Sequence, residues 1–180
     1  MEVTFNIPNW EKISGQTANF FYSESEKRLK ELLDACNQNQ EVAHRMLNIL
    51  LPIITLTVGY LFSQKWNEDW ALMLPATIFI LFQVVALMHL FLTIRHGEVN
   101  SLGSNPRDML KANLIIEDDE RAQYLQYVIG ACEEMQKKID HNRAVNNKRA
   151  TYNNRAMLFS TVIAPLGFII TSLVVWGFAL

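Results

Sequence analysis

The sequence predicts an all-α integral membrane protein: three transmembrane helices joined to a helical cytoplasmic region. Three observations lead there. First, the windows Met46–Phe62, Ala71–Ile94 and Leu158–Leu180 hold no Asp, Glu, Lys or Arg. They are 17, 24 and 23 residues long, and about 20 apolar helical residues cross a bilayer core. Second, the polar segments between them repeat apolar residues at helical spacing. Third, the 16 basic residues are unevenly placed: five precede Met46, one (Lys65) lies in Ser63–Trp70, and ten lie in Arg95–Met157. The positive-inside rule then puts the N-terminus and the middle segment in the cytoplasm and the C-terminus outside. Trp66, Trp70 and Trp176 sit where an outer aromatic belt is expected.

The organisation follows from these windows. Residues 1–45 form a cytoplasmic arm and helix, 46–94 a two-span hairpin, 95–157 a cytoplasmic helical region and 158–180 the third span. Residues 1–22 show no clear period and read as a packed extension. The first 45 residues are polar and mixed in charge, and the first apolar run starts too late for a cleavable signal. Ser23 with Glu26 has capping-box spacing, so a helix is expected to start there. Leu29, Leu32, Leu33, Cys36 and Ala43 mark one face of it. No breaker separates that face from the first span, which predicts one helix over about Glu24–Phe62. The first span is short and contains Asn48 and Pro52, so a tilted or re-entrant hairpin is the alternative.

After the second span, Arg95–Ser104 reads as a loop. Asn105-Pro106-Arg107-Asp108 predicts a short helix start, with Asn105 capping and Pro106 at the first helical position. The acidic run Glu117–Glu120 suits the first turn of a further helix, which continues from Asp118 to Leu180.

Leu125, Val128, Cys132, Met135 and Ile139 recur in steps of three and four, a heptad seam. The same steps continue through Asn142, Asn146, Arg149 and Asn153, so the seam turns polar before the membrane. Polar groups at such positions are costly if buried dry. The bland expectation, weighted higher, is a solvated helix face. The functional one is a polar vestibule, a lumen or an anionic-ligand site in an oligomer.

Ala156, Ser160, Ala164, Gly167 and Thr171 form a small-residue face on the third span, suited to close helix packing. Packing within one subunit and self-association both fit it. Three spans make a thin bundle, which favours a homo-oligomer. The strong polar residues of the spans are Asn48, Gln83 and His89. An intramembrane His suggests an ion or proton site, but a hydrogen bond to a neighbouring helix is the simpler reading.

Cys36 and Cys132 make no metal motif, and no metal is expected. The net charge of −2 offers no global basic surface for nucleic acid. GxSxG, HExxH, Walker A and GxGxxG are all missing, so no enzyme and no catalytic residue is expected.

The layout is a polar helix, a two-span hairpin, a cytoplasmic helix and a last span fed by that helix. It resembles the small transmembrane effectors of bacterial anti-phage systems, in particular those of Pycsar. The stretch Ile139-Asp140-His141-Asn142 through Asn146-Asn147-Lys148-Arg149 to Tyr152 and Ala156 is similar to the polar lead into the last span of such proteins. Where they often carry an Asp-x-Lys-Ala-like motif before the first span, this chain has His44-Arg45-Met46-Leu47. The resemblance implies a protein of the bacterial inner membrane, inactive until infection, that then compromises the membrane. It also implies a nucleotide cyclase or other defence partner and a cyclic nucleotide as activating ligand, with no resident cofactor.

Overall fold

The computed structural model describes residues 12–64, 70–103 and 119–179, and everything below concerns these. They are helical: α1 is Gly15–Ser63, α2 is Trp70–Arg95, and α3 is Glu120–Leu158. A five-residue π-helical turn, Phe159–Ile163, follows α3 without a break and leads into α4, Ala164–Ala179. No strand occurs among the described residues. Three helices are long and apolar enough to cross a membrane: α1, α2 and the continuous run Glu120–Gly177. The expected helix start at Asn105, the outer turn with Lys65 and Trp66, and Glu117 and Asp118 lie outside the described residues.

The expected start at Ser23 is corrected. The helix begins eight residues earlier, and Ser23 and Glu26 are exposed residues inside it. The N-cap is Ser14, whose Oγ accepts the Thr17 N–H at 3.1 Å. Tertiary burial explains the shift. Ala18 is buried against Leu125 and Val128, with Ile13, Tyr22, Tyr127 and Cys132 around them. The apolar stripe of α1 thus reaches back through Tyr22 to Ala18, and helical geometry is needed to present it. At the other long helix the acidic start holds in part. Glu120 is the first helical residue, and Asp119 caps it by accepting the Arg121 N–H on Oδ1 at 3.0 Å.

The chain divides into two compact units. One combines Met1–Cys36 with Glu98–Val145. Its core is the Ala18, Leu125, Val128 cluster, and Leu29, Cys36 and Ile139 are also buried. Burial there raises the pKa of two groups. The Tyr22 hydroxyl is pushed up by desolvation, helped by Glu26, Tyr127 and Cys132. The Cys132 thiol is pushed up by desolvation against a smaller opposing hydrogen bond from Ser25.

The other unit combines Asn37–Gly97 with Asn146–Leu180. Its core is Ala43, Leu50, Ala86, Leu90 and Ala156, flanked by Met46, Leu47, Ile94 and Phe159. The helix α2 packs along the π turn and α4. Phe79 meets Phe168 edge to face, with ring centroids 6.3 Å apart. Ala43, Ala86 and Ala156 supply small side chains within this core, which lets the helix backbones come close there.

Leu125 is 1 % exposed, so Leu125→Ala is expected to cost about 2–5 kcal/mol of stability. Leu56 is 75 % exposed, and Leu56→Ala should stay within about 0.5 kcal/mol. Thermal melts of the helical circular dichroism signal in detergent compare the two.

Candidate functional site

The candidate site is the seam along α3 singled out by its asparagines. The expectation of a solvated face is overturned. Asn142, Arg149 and Asn153 are 0, 4 and 3 % exposed, and Asn146 is partly buried. The physical reason is that each of these side chains finds a backbone or amide partner, so burial leaves few bonds unmade.

In the first unit, Asn142 pairs with the main chain of Asn100. The Asn100 N–H donates to Asn142 Oδ1 at 2.9 Å, and Asn142 Nδ2 donates to the Asn100 carbonyl at 3.0 Å. The carboxamide therefore matches a peptide unit donor for acceptor, as a neighbouring strand would. One residue before it, His141 Nε2 donates to the Glu98 carbonyl at 3.0 Å. Lys138 Nζ reaches the Gly103 carbonyl and also pairs with Glu134 at 3.3 Å. On α1, the Cys36 thiol donates to the Asn142 carbonyl at 3.6 Å.

In the second unit, Arg149 serves the end of α2. That helix stops at Arg95, and Gly97 has a φ of 67°. A left-handed residue two positions past the last helical one is a common way to end a helix, and glycine takes it without strain. The end leaves carbonyls without helical donors. Arg149 Nε donates to the His96 carbonyl at 3.1 Å and Nη2 to the Gly97 carbonyl at 3.0 Å. A cation there also meets the negative end of the helix dipole. Farther along, Asn39 Nδ2 donates to Asn146 Oδ1 at 2.8 Å, and Asn153 Nδ2 donates to the Asn39 carbonyl at 2.7 Å. The Asn153 Oδ1 atom is buried without a partner.

The polar residues of the apolar segments separate. Asn48 is exposed on α1. His89 is partly buried, its Nδ1 donating to the Val85 carbonyl at 2.9 Å. Its ring stacks on Phe159 at 5.6 Å and meets Tyr152 edge-on at 6.3 Å, and Tyr152 meets His96 at 5.8 Å. Gln83 is 3 % exposed and donates from Nε2 to the Ser160 carbonyl at 3.2 Å. Gln83 Oε1 has no partner.

The small-residue face turns inward. Ala156, Ser160 and Ala164 are buried, and Gly167 lies under Phe82. Thr171 bonds its own helix at the Gly167 and Phe168 carbonyls. Among the described residues no group of three His, Cys, Asp or Glu side chains is placed to hold a metal ion.

Sequence reasoning missed the partners Asn39, His96, Gly97 and Asn100. Two signals pointed to some of them. Leu29, Cys36, Ala43 and Leu50 recur every seven residues and are all buried, which puts Asn39 on the inner side of α1. Gly97 just after Arg95-His96 marks a helix end whose carbonyls need donors. Comparison with protein-family models, with curated proteins and with solved structures finds no match.

Two predictions follow from the seam. Asn142→Ala strands the Asn100 amide and carbonyl, and should cost about 1–3 kcal/mol, whereas Asn147→Ala on the exposed face should stay within about 0.5 kcal/mol; thermal melts in detergent measure both. Cys36 is 0 % exposed, so iodoacetamide should leave it intact until the chain unfolds. The raised Cys132 thiol should alkylate severalfold more slowly than a cysteine peptide at pH about 8, its rate still climbing where the peptide's has levelled.

Proposed function

We propose that this chain is a membrane effector of anti-phage defence that acts without catalysis. When activated, it self-associates in the bacterial inner membrane and breaks the permeability barrier, causing growth arrest. Its N-terminus and middle helical segment face the cytoplasm, where they receive the signal, a cyclic nucleotide made by a partner cyclase. The layout of the three spans supports this reading.

The observation that carries it is the sparse cover of the apolar helices. In the 18-residue apolar window of α1, 6 % of the residues are buried, against 28 % in α2 and 17 % in Glu120–Gly177. Ile49, Leu56 and Phe62 are 62, 75 and 86 % exposed. Apolar grooves open beside this surface. One of about 400 Å³ is lined by Leu56, Thr57, Tyr60, Leu72, Ala76 and Phe168. Lipid alone can cover such a surface, but a three-helix bundle with this much unpacked area is also well suited to associate with copies of itself.

A second reading is a passive membrane anchor that recruits a cytoplasmic protein. It is favoured by the seam, whose polar groups are turned onto carbonyls of the same chain rather than outward.

The test is triggered expression of the full chain in bacterial cells loaded with a potential-sensitive dye. The effector reading expects depolarisation before growth stops. An unchanged membrane potential with the protein inserted overturns it. For the anchor reading, exchanging the apolar segments for unrelated spans should leave recruitment intact.

A further inference from the structure

The π turn Phe159–Ile163 sets which residue of α4 faces α2. A π turn accommodates one more residue per turn than an α-helix. The Ala164 N–H bonds the Phe159 carbonyl, five residues back. In an α-helix it would bond Ser160 instead. The next residue is Pro165, which has no N–H. The Ser160 carbonyl is thereby skipped from both sides and has no helical donor. Gln83, across on α2, supplies one from Nε2 at 3.2 Å. Gln83 is 3 % exposed, and its Oε1 stays unpartnered. A buried amide with half its bonding unmet is an expensive latch, and it persists here on a carbonyl that the π turn alone exposes.

The register this creates is tight. Gly167 faces Phe82, and a Cβ built on Gly167 would lie 2.8 Å from Phe82 Cε2 and 3.5 Å from Ile78 Cγ2. Leu166, its neighbour, is 50 % exposed. If the π turn relaxes to α geometry, the extra residue is absorbed. Everything after it then turns by about 100° and advances about 1.5 Å, one helical residue. Each position of α4 is then taken by the residue before it, so Leu166 arrives where Gly167 was. The atoms that a Cβ meets there belong to the Phe82 ring, so a leucine enters only if that ring swings aside. The shift therefore exchanges the glycine contact with α2 for a leucine one and forces the facing side chains to repack.

We propose that the π turn, latched by Gln83, is a register switch in the third apolar helix. In the latched register a glycine lets α2 and α4 pack. In the relaxed register Leu166 takes the glycine's place against Phe82 and Ile78, and this part of the bundle repacks. Pro165 favours the latched register, since its ring and missing N–H disrupt α geometry at that point. The switch stands apart from the effector reading, because helix register is measured without any leak.

Thiol cross-linking in membranes tests it, using the full chain with Cys36→Ala and Cys132→Ala. One reporter pair is Phe79→Cys with Phe168→Cys, whose native rings are 6.3 Å apart. It should link with a short bifunctional thiol reagent in the latched register and lose that ability in the relaxed one. The other pair is Ile78→Cys with Leu166→Cys, which should do the reverse. Gln83→Leu removes the latch, and Pro165→Ala restores the missing donor and permits α geometry. Each is expected to lower the first cross-link and raise the second severalfold. Reciprocal change in either variant supports the switch. No change in either pair, or a fall in both pairs in both variants, overturns it.

Discussion

A backbone carbonyl hidden from water must find a donor, and this chain meets that demand with side chains at the end of α2, at the π turn and in the loop beyond α2. At the end of α2 the donor is Arg149, bonded to the His96 and Gly97 carbonyls. At the π turn it is Gln83, bonded to Ser160. In the loop beyond α2 it is the Asn142 amide on Asn100. These residues would look misplaced in an apolar seam if judged by hydropathy alone. Judged by the carbonyls they serve, each sits where no backbone donor is at hand. The small-residue packing depends on the same demand, because the π turn that needs Gln83 is what aims Gly167 at Phe82.

Much of the fold was legible because it depends on periodicity. Runs without charge identified the three helices long and apolar enough to cross a membrane. The three-four steps from Leu125 to Ile139 identified the inner face of α3, and the absence of breakers foretold that α1 and the last helical run are continuous. What remained hidden was pairing. Asn142, Asn146, Arg149 and Asn153 stand out by spacing, but spacing is silent on whether a polar residue faces water or a carbonyl 40 or more residues away. The solvated-face expectation therefore won on sequence alone, and burial reversed it. Ser23-Glu26 has the form of a cap, yet Ser14 does the capping, since the contacts of Ala18 with Leu125 and Val128 draw the helix further back. The π turn is invisible to any regular period, although Pro165 inside an apolar helix hinted at a break in the bonding pattern.

The two units divide the chemistry along lines that composition foreshadows. In Met1–Cys36 with Glu98–Val145, an apolar cluster is bordered by polar side chains that bind loop carbonyls. In Asn37–Gly97 with Asn146–Leu180, alanines supply much of the core, and large side chains such as Leu56, Leu173 and Trp176 point outward at 75, 69 and 69 % exposure. A core rich in alanine beneath an outside of large apolar side chains departs from the arrangement of a water-soluble domain. It is the arrangement in which close backbone approach, rather than exclusion of water, holds helices together.

The asparagine contacts also bear on how the polypeptide is made. Asn39 meets Asn146 and Asn153 across 107 and 114 positions of the chain. Synthesis proceeds from the N-terminus, so α1 and α2 emerge well before either partner exists. During that interval Cys36, Ala43 and the Asn39 amide lack the surface that later hides them. Maturation of this protein thus has a built-in order, with the hairpin waiting for the last third of its own translation before the inner contacts can close.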